Sequence, residues 1–153
     1  MEITMRFHGE VINKMRVTLP AISQNESVSR AIVGAFVSIL NPTIEELADI
    51  KCVISEAVTN CIVHAYTHHT CEHPGTIYIQ VTLYRNRGVK ITVRDRGCGI
   101  ADVTAAKAPL FTTDPEGERS GMGFAVMENF TDRLTVSSKV GYGTTVHMYK
   151  SLK

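Results

Sequence analysis

Ser55-Glu56-Ala57-Val58-Thr59-Asn60 lies inside a long helical pattern and carries the first chemically informative pair of the chain. Thr43-Ile44-Glu45-Glu46 upstream has the form of a capping box, a hydroxyl followed three residues later by a carboxylate. Asn41-Pro42 separates it from the helix before. The pattern predicts a helix to about Tyr66, with Leu47, Ile50, Ile54, Val58, Cys61 and Ala65 on one core-facing stripe. Glu56 and Asn60 are one turn apart, so their side chains share a neighbouring face.

Working outward, Asn25-Glu26-Ser27 offers a cap for an earlier helix. Val28, Ala31, Ile32, Ala35, Phe36, Ile39 and Leu40 have the spacing of its apolar face. Residues 14–21 read as a strand, and residues 1–13 as an N-terminal extension. Downstream, Thr67 to Gly75 is a polar loop. Ile77, Ile79, Val81 and Leu83 then alternate with polar or aromatic residues, Arg85-Asn86-Arg87-Gly88 turns the chain, and Val89 to Arg94 alternates again, so an antiparallel hairpin is predicted. Residues 100–120 show no sustained period and read as a loop over a site. A third helix is predicted from Ser120-Gly121 to Phe130, and a last strand pair, Leu134 to Ser138 with Thr144 to Tyr149, around Gly141-Tyr142-Gly143. The fold class expected is α+β, a single domain over residues 1–153 with helices on one face of a mostly antiparallel sheet.

Composition narrows the class. The chain is 44% hydrophobic and 20% charged with a formal net charge of +1, which is ordinary for a soluble domain and gives no long-range attraction for nucleic acid. No apolar run approaches the ~20 residues of a membrane span, and Met1 to Arg6 lacks the form of a signal peptide, so a cytoplasmic protein without membrane or nucleic-acid partners is expected. The four cysteines form no C-x-x-C pair and read as reduced thiols. His68, His69, Cys71, Glu72 and His73 share the loop Thr67 to Gly75, but their spacing matches no standard zinc pattern, and a solvated loop is the better reading.

Four motifs in fixed order carry the chemistry. On the Glu56/Asn60 face, a carboxamide oxygen suits Mg²⁺, which needs few protein ligands when phosphates supply the rest, and a carboxylate beside it suits a general base. Asp95-Arg96-Gly97-Cys98-Gly99 puts an acid at a strand end, able to accept from the exocyclic amine of adenine, with glycines that permit close approach of a flat ring. Ser120-Gly121-Met122-Gly123-Phe124 opens a helix without bulk, where free N–H groups favour phosphate. In Gly143-Thr144-Thr145-Val146, the Thr144 hydroxyl is a candidate for the adenine edge. Each motif alone has an ordinary explanation as a solvated face or a turn. The four together describe an ATP site.

These elements resemble the histidine-kinase-like ATPase superfamily over nearly the whole chain from about Met15. Within it, Asn25-Glu26-Ser27 with Arg30, the Ser55 to Asn60 motif, Pro109-Leu110-Phe111-Thr112-Thr113, Glu118-Arg119-Ser120-Gly121-Met122-Gly123-Phe124 and Met127-Glu128-Asn129-Phe130 resemble the anti-sigma F branch of spore-forming bacteria, which are serine-protein kinases. The resemblance implies that Glu56 is the general base and that Asn60 holds Mg²⁺ against the phosphates. Asp95 and Thr144 read adenine; Gly97 and Gly99 admit the purine. Ser120, Gly121 and Gly123 wrap the phosphates, Arg119 reaches the γ-phosphate, and Arg30 meets protein partners. It further implies ATP and ADP as ligands and a homodimer. The partners implied are a sporulation RNA polymerase sigma factor and an anti-anti-sigma factor phosphorylated on serine. The alternatives are a nucleotide-gated anti-sigma binder without phosphotransfer and the related stress-response anti-sigma kinase.

Overall fold

The structure, a computed structural model, describes residues 9–69, 72–107 and 123–153. Its elements are β1 (Val11–Pro20), α1 (Gln24–Val37), α2 (Ile44–Asn60), β2 (Thr76–Tyr84), β3 (Gly88–Asp95), α3 (Val103–Lys107), α4 (Gly123–Asn129), β4 (Arg133–Lys139) and β5 (Gly143–Ser151). A five-stranded sheet runs in the order β1-β2-β3-β5-β4, with every neighbouring pair antiparallel. This is the α+β arrangement that the strand and helix patterns predicted.

Period-two alternation decides which face of the sheet is covered. Ile77, Ile79, Val81 and Leu83 of β2 and Val89, Ile91 and Val93 of β3 point inward and pack with Val33 and Val37 of α1 and Ile50, Val53, Ile54 and Val58 of α2. Each such side chain removed from water contributes about 1.5–3 kcal/mol. The outward set, including Arg16, Tyr78, Gln80, Lys90, Thr92 and Arg94, lines an open groove of about 710 Å³ on the other face. Asp95 continues the inward set of β3, so the same alternation that builds the core turns this one carboxylate under the helices.

The predicted capping box is formed. Thr43 Oγ1 accepts the N–H of Glu46 at 3.1 Å, and the Thr43 N–H donates to Glu46 Oε2 at 2.9 Å. Glu46 Oε1 also accepts the N–H of Lys153 at 2.7 Å, which ties the end of the chain to the start of α2.

Four local expectations are corrected. β1 begins at Val11, so residues 11–13 are strand and pair with β2 rather than lying in an extension. Helix α1 starts one residue before the expected cap, and Asn25 Nδ2 instead donates to the carbonyl of Pro20 at 2.8 Å. Its buried side is Ser29, Val33, Gly34 and Val37, while Val28 and Ile39 are 39% and 52% exposed. Apolar residues lie all round α1, so periodicity could not choose the face. The docking of α1 on α2 turned this side inward, with the end of the Lys51 side chain lying over Gly34. Helix α2 stops at Asn60 and widens into a π-helical turn, Cys61–Ala65, before reaching Tyr66.

Candidate active site

Asp95 is the last residue of β3 and 6% exposed. Its Oδ1 accepts the backbone N–H of Gly97 at 2.9 Å and that of Thr144 at 3.2 Å, and its Oδ2 faces the Cys61 thiol at 3.7 Å. Burial pushes this carboxyl above its ordinary range, while the two N–H groups and the thiol pull it back down. Burial and the neighbouring Asp95 push the Cys61 thiol well up, so it remains a protonated donor. A carboxylate fixed on one oxygen with the other turned inward can accept from a ligand amine.

The loop after Asp95 is held against the π-turn by the backbone. The Cys98 N–H donates to the carbonyl of Ala65 at 2.9 Å, and the Gly141 N–H to the carbonyl of Cys98 at 2.8 Å. A Cβ at Gly97 would lie 2.1 Å from that Ala65 oxygen, and Gly99 has φ +75° with the Lys139 carbonyl behind it. Both glycines of the motif are therefore demanded by the packing of the chain on itself. Thr144 is buried, and its Oγ1 lies 2.7 Å from Ser138 Oγ, which also takes the N–H of Ile100 at 2.7 Å.

Glu56 and Asn60 lie one turn apart on α2, as their spacing predicted, and meet Gly123 at the start of α4. A Cβ there would be 3.1 Å from Glu56 Oε2 and 3.5 Å from Asn60 Oδ1. The fully buried Met127 anchors α4 in the core beside α2. Asn60 Nδ2 is buried and has no hydrogen-bond partner among the described residues. An unsatisfied buried amide is costly, about 1–3 kcal/mol, and native chains keep one where a ligand or ion completes it. An amide oxygen toward a divalent cation and an amide nitrogen toward a phosphate oxygen is the donor set that fits Mg²⁺ carried by a nucleotide.

Cys61 joins the two halves. It follows Asn60 in sequence and touches Asp95 in space, so the π-turn sets the metal-suited amide and the buried carboxylate at one end of the sheet. Arg30 stands outside this group on α1, pairing with Glu26 at 3.5 Å; Glu26 in turn accepts from Ser55 Oγ, the residue before Glu56. Arg119, Ser120 and Gly121 lie outside the described residues, as does most of the loop 100–120.

Sequence reasoning missed two supporting residues. The Tyr66 hydroxyl donates to the carbonyl of Thr76 at 2.6 Å and accepts the N–H of Arg96 at 2.7 Å, which pins the chain just past Asp95. Its position at the end of an apolar helical stripe was the available signal. Ser138 ties Ile100, Gly143 and Thr144 together, and nothing in its local sequence marks it.

Residues 20–150 match the model of the histidine kinase-like ATPase domain. The anti-sigma F factor of Bacillus licheniformis is 50% identical over 140 residues, covering 92% of this chain and 93% of its own. That of Bacillus thuringiensis strain Al Hakam is 51% identical over the same shares. Among solved structures, the RsbU and RsbW domains of Rv1364c from Mycobacterium tuberculosis superpose with TM-score 0.66 at 21% identity, covering 92% of this chain and 32% of that one. The Erythrobacter litoralis EL346 blue-light activated histidine kinase follows with TM-score 0.55 at 20% identity, covering 81% and 42%. The superpositions match the observed fold, and the range matched by the family model, 20–150, includes the positions of all four motifs. The chain belongs to the histidine kinase-like ATPase family and, within it, to the anti-sigma F factors.

Proposed function

We propose that this protein, with ATP bound, holds a sporulation sigma factor of RNA polymerase inactive and phosphorylates a serine of an anti-anti-sigma protein, working in the cytoplasm as a homodimer. The observation that carries the reading is the convergence on Gly123 of the Glu56 carboxylate and of Asn60, whose Nδ2 has no hydrogen-bond partner among the described residues.

The roles follow from chemistry. Asp95 accepts the adenine amine, and the Thr144 N–H keeps that carboxylate aimed. Asn60 is the protein's hold on Mg²⁺, which when bound offsets charge on the phosphates. Glu56 accepts the proton of the incoming serine hydroxyl. The serine oxygen then bonds to the γ-phosphorus as the bond to the β-phosphate oxygen breaks, which leaves ADP. Gly123 leaves room for the transferred group beside Glu56, because any larger residue would occupy it. Ser120 and Gly121 line the phosphates, and Arg119 reaches the γ-phosphate, so the lid responds to its loss. ATP and ADP forms then present different surfaces, as partner exchange requires, since a ligand shifts an equilibrium only through differential affinity. Arg30, with 44% of its side chain exposed on α1, is the partner contact.

The test is transfer of label from γ-labelled ATP with Mg²⁺ into an extract of the source organism, run beside Glu56→Gln protein. A small protein carrying phosphoserine with the wild type alone supports the reading. Equal labelling by both proteins, with ATP affinity intact in both, overturns the role of Glu56. No labelling by either favours an ATP-gated binder.

A further inference from the structure

We propose that Cys61 is a positioning residue for base recognition: its S–H holds the Asp95 carboxylate in the orientation that accepts the adenine amine. The proposal rests on the reading of Asp95 as the adenine acceptor and adds to its two backbone N–H contacts a third, made by a side chain.

The two oxygens of Asp95 are held in different ways. Oδ1 takes two backbone N–H groups, from Gly97 and Thr144, so its lone pairs are committed. Among the described residues, Oδ2 has the Cys61 thiol as its one hydrogen-bond donor, at 3.7 Å. A carboxylate oxygen accepts at two sites, so Oδ2 can take the thiol and a ligand amine together. Without the thiol, rotation about the last side-chain bond is resisted from one side alone. The partner pair is enclosed: Cys61 is 3% exposed and Asp95 6%, so no water competes cheaply for the contact.

The thiol suits this place for a physical reason. Sulfur is larger than a hydroxyl oxygen and is a weak donor, so Cys61 packs with the buried apolar cluster while still directing one hydrogen at Oδ2. Cys61 is also the first residue of that turn, immediately after Asn60. Its contact with Asp95 thus fixes the distance between the base-reading carboxylate and the residue suited to the metal, and a nucleotide must span both. Tyr66, whose hydroxyl is engaged by Thr76 and Arg96, supports the same carboxylate from the other end of the turn.

The experiment is calorimetric titration of the full chain with ADP and, separately, with inosine diphosphate, which carries a carbonyl oxygen in place of the adenine amine. The proteins compared are wild type, Cys61→Ala, Cys61→Ser and Asp95→Asn. The wild type is expected to prefer ADP. Cys61→Ala is expected to lower ADP affinity by about two- to tenfold, the range a single hydrogen bond controls, while leaving inosine diphosphate within error. Cys61→Ser, which keeps a donor, is expected to recover most of the preference. Equal loss for both nucleotides, or no change for either, would overturn the proposal, because a packing defect does not discriminate between bases. A wild type without preference, matched by Asp95→Asn, would remove the adenine role of Asp95 itself. That outcome is distinct from failure of Cys61 in a protein that does discriminate.

Discussion

The backbone N–H of Thr144 donates to Asp95 Oδ1 at 3.2 Å, across 49 residues of sequence, and joins the last residue of β3 to the second residue of β5. The link exists because β5 lies beside β3 in the sheet. It turns a strand-end acid into an acceptor of fixed direction.

Asp95→Asn keeps an acceptor for the Gly97 and Thr144 N–H groups but places an amide donor where Oδ2 stood. ATP affinity is expected to fall by about 10- to 100-fold, the worth of a hydrogen bond to a charged group. Folding stability at neutral pH should not fall in parallel. The folded-state pKa of Asp95 is raised, chiefly by burial, so what its titration contributes to stability is present at low pH and lost as pH rises through that value. At neutral pH the mutation removes a buried charge. For the wild type the same shift predicts that ATP affinity declines as pH is lowered through the raised pKa, earlier than for an exposed aspartate. Titrations at several pH values, with thermal melts beside them, check both signs.

Gly123→Ala separates helix stability from chemistry. Gly123 is the first residue of α4, where alanine suits a helix at least as well as glycine, yet its Cβ would stand 3.1 Å from Glu56 Oε2. The melting temperature is expected to hold or rise, while the phosphotransfer rate drops by more than ATP affinity does. A transfer assay at saturating ATP reads this split, and unchanged transfer would count against Gly123 as part of the reacting space.

Tyr66→Phe removes one hydroxyl and strands two backbone groups, the carbonyl of Thr76 and the N–H of Arg96. The expected cost is about 1–3 kcal/mol, which for a domain of this size lowers the melting temperature by about 2–4 °C per kcal/mol. Because Arg96 follows Asp95, ADP affinity should weaken as well. Denaturant unfolding with and without ADP measures both effects.

Glu46 predicts an acid-sensitive step in stability. Its carboxylate accepts the N–H groups of Lys153 and Thr43, in that order of effect, and both hold its pKa below the ordinary 4.5. A depressed folded-state pKa gives stability that is present above about 4.5 and lost as pH falls through the folded value. The stability difference between wild type and Glu46→Gln should therefore be greatest near neutrality and shrink in acid. Unfolding titrations of both proteins across that range would show it.

Much of this protein is local and was therefore readable from sequence. The capping box at Thr43 and Glu46, the alternation that makes β2 and β3, the hairpin turn between them and the one-turn spacing of Glu56 and Asn60 each depend on residues a few positions apart. Backbone periodicity and side-chain reach set them without reference to the rest of the chain. The buried face of α1 was not legible, because apolar residues surround that helix and only its docking against the rest of the fold turned Ser29, Val33, Gly34 and Val37 inward. The π-turn at Cys61–Ala65 was not legible either. Its sequence suits an ordinary helix, and the wider turn is held by the Cys98 N–H on the Ala65 carbonyl, the Arg96 N–H on the Tyr66 hydroxyl and the Cys61 thiol on Asp95. Sequence by itself determined the local elements and the four motifs that they carry. The tertiary structure decided that Asp95 faces inward between Thr144 and Cys61 and that Glu56 and Asn60 meet Gly123, because those contacts join segments whose separation only strand order and helix packing can close.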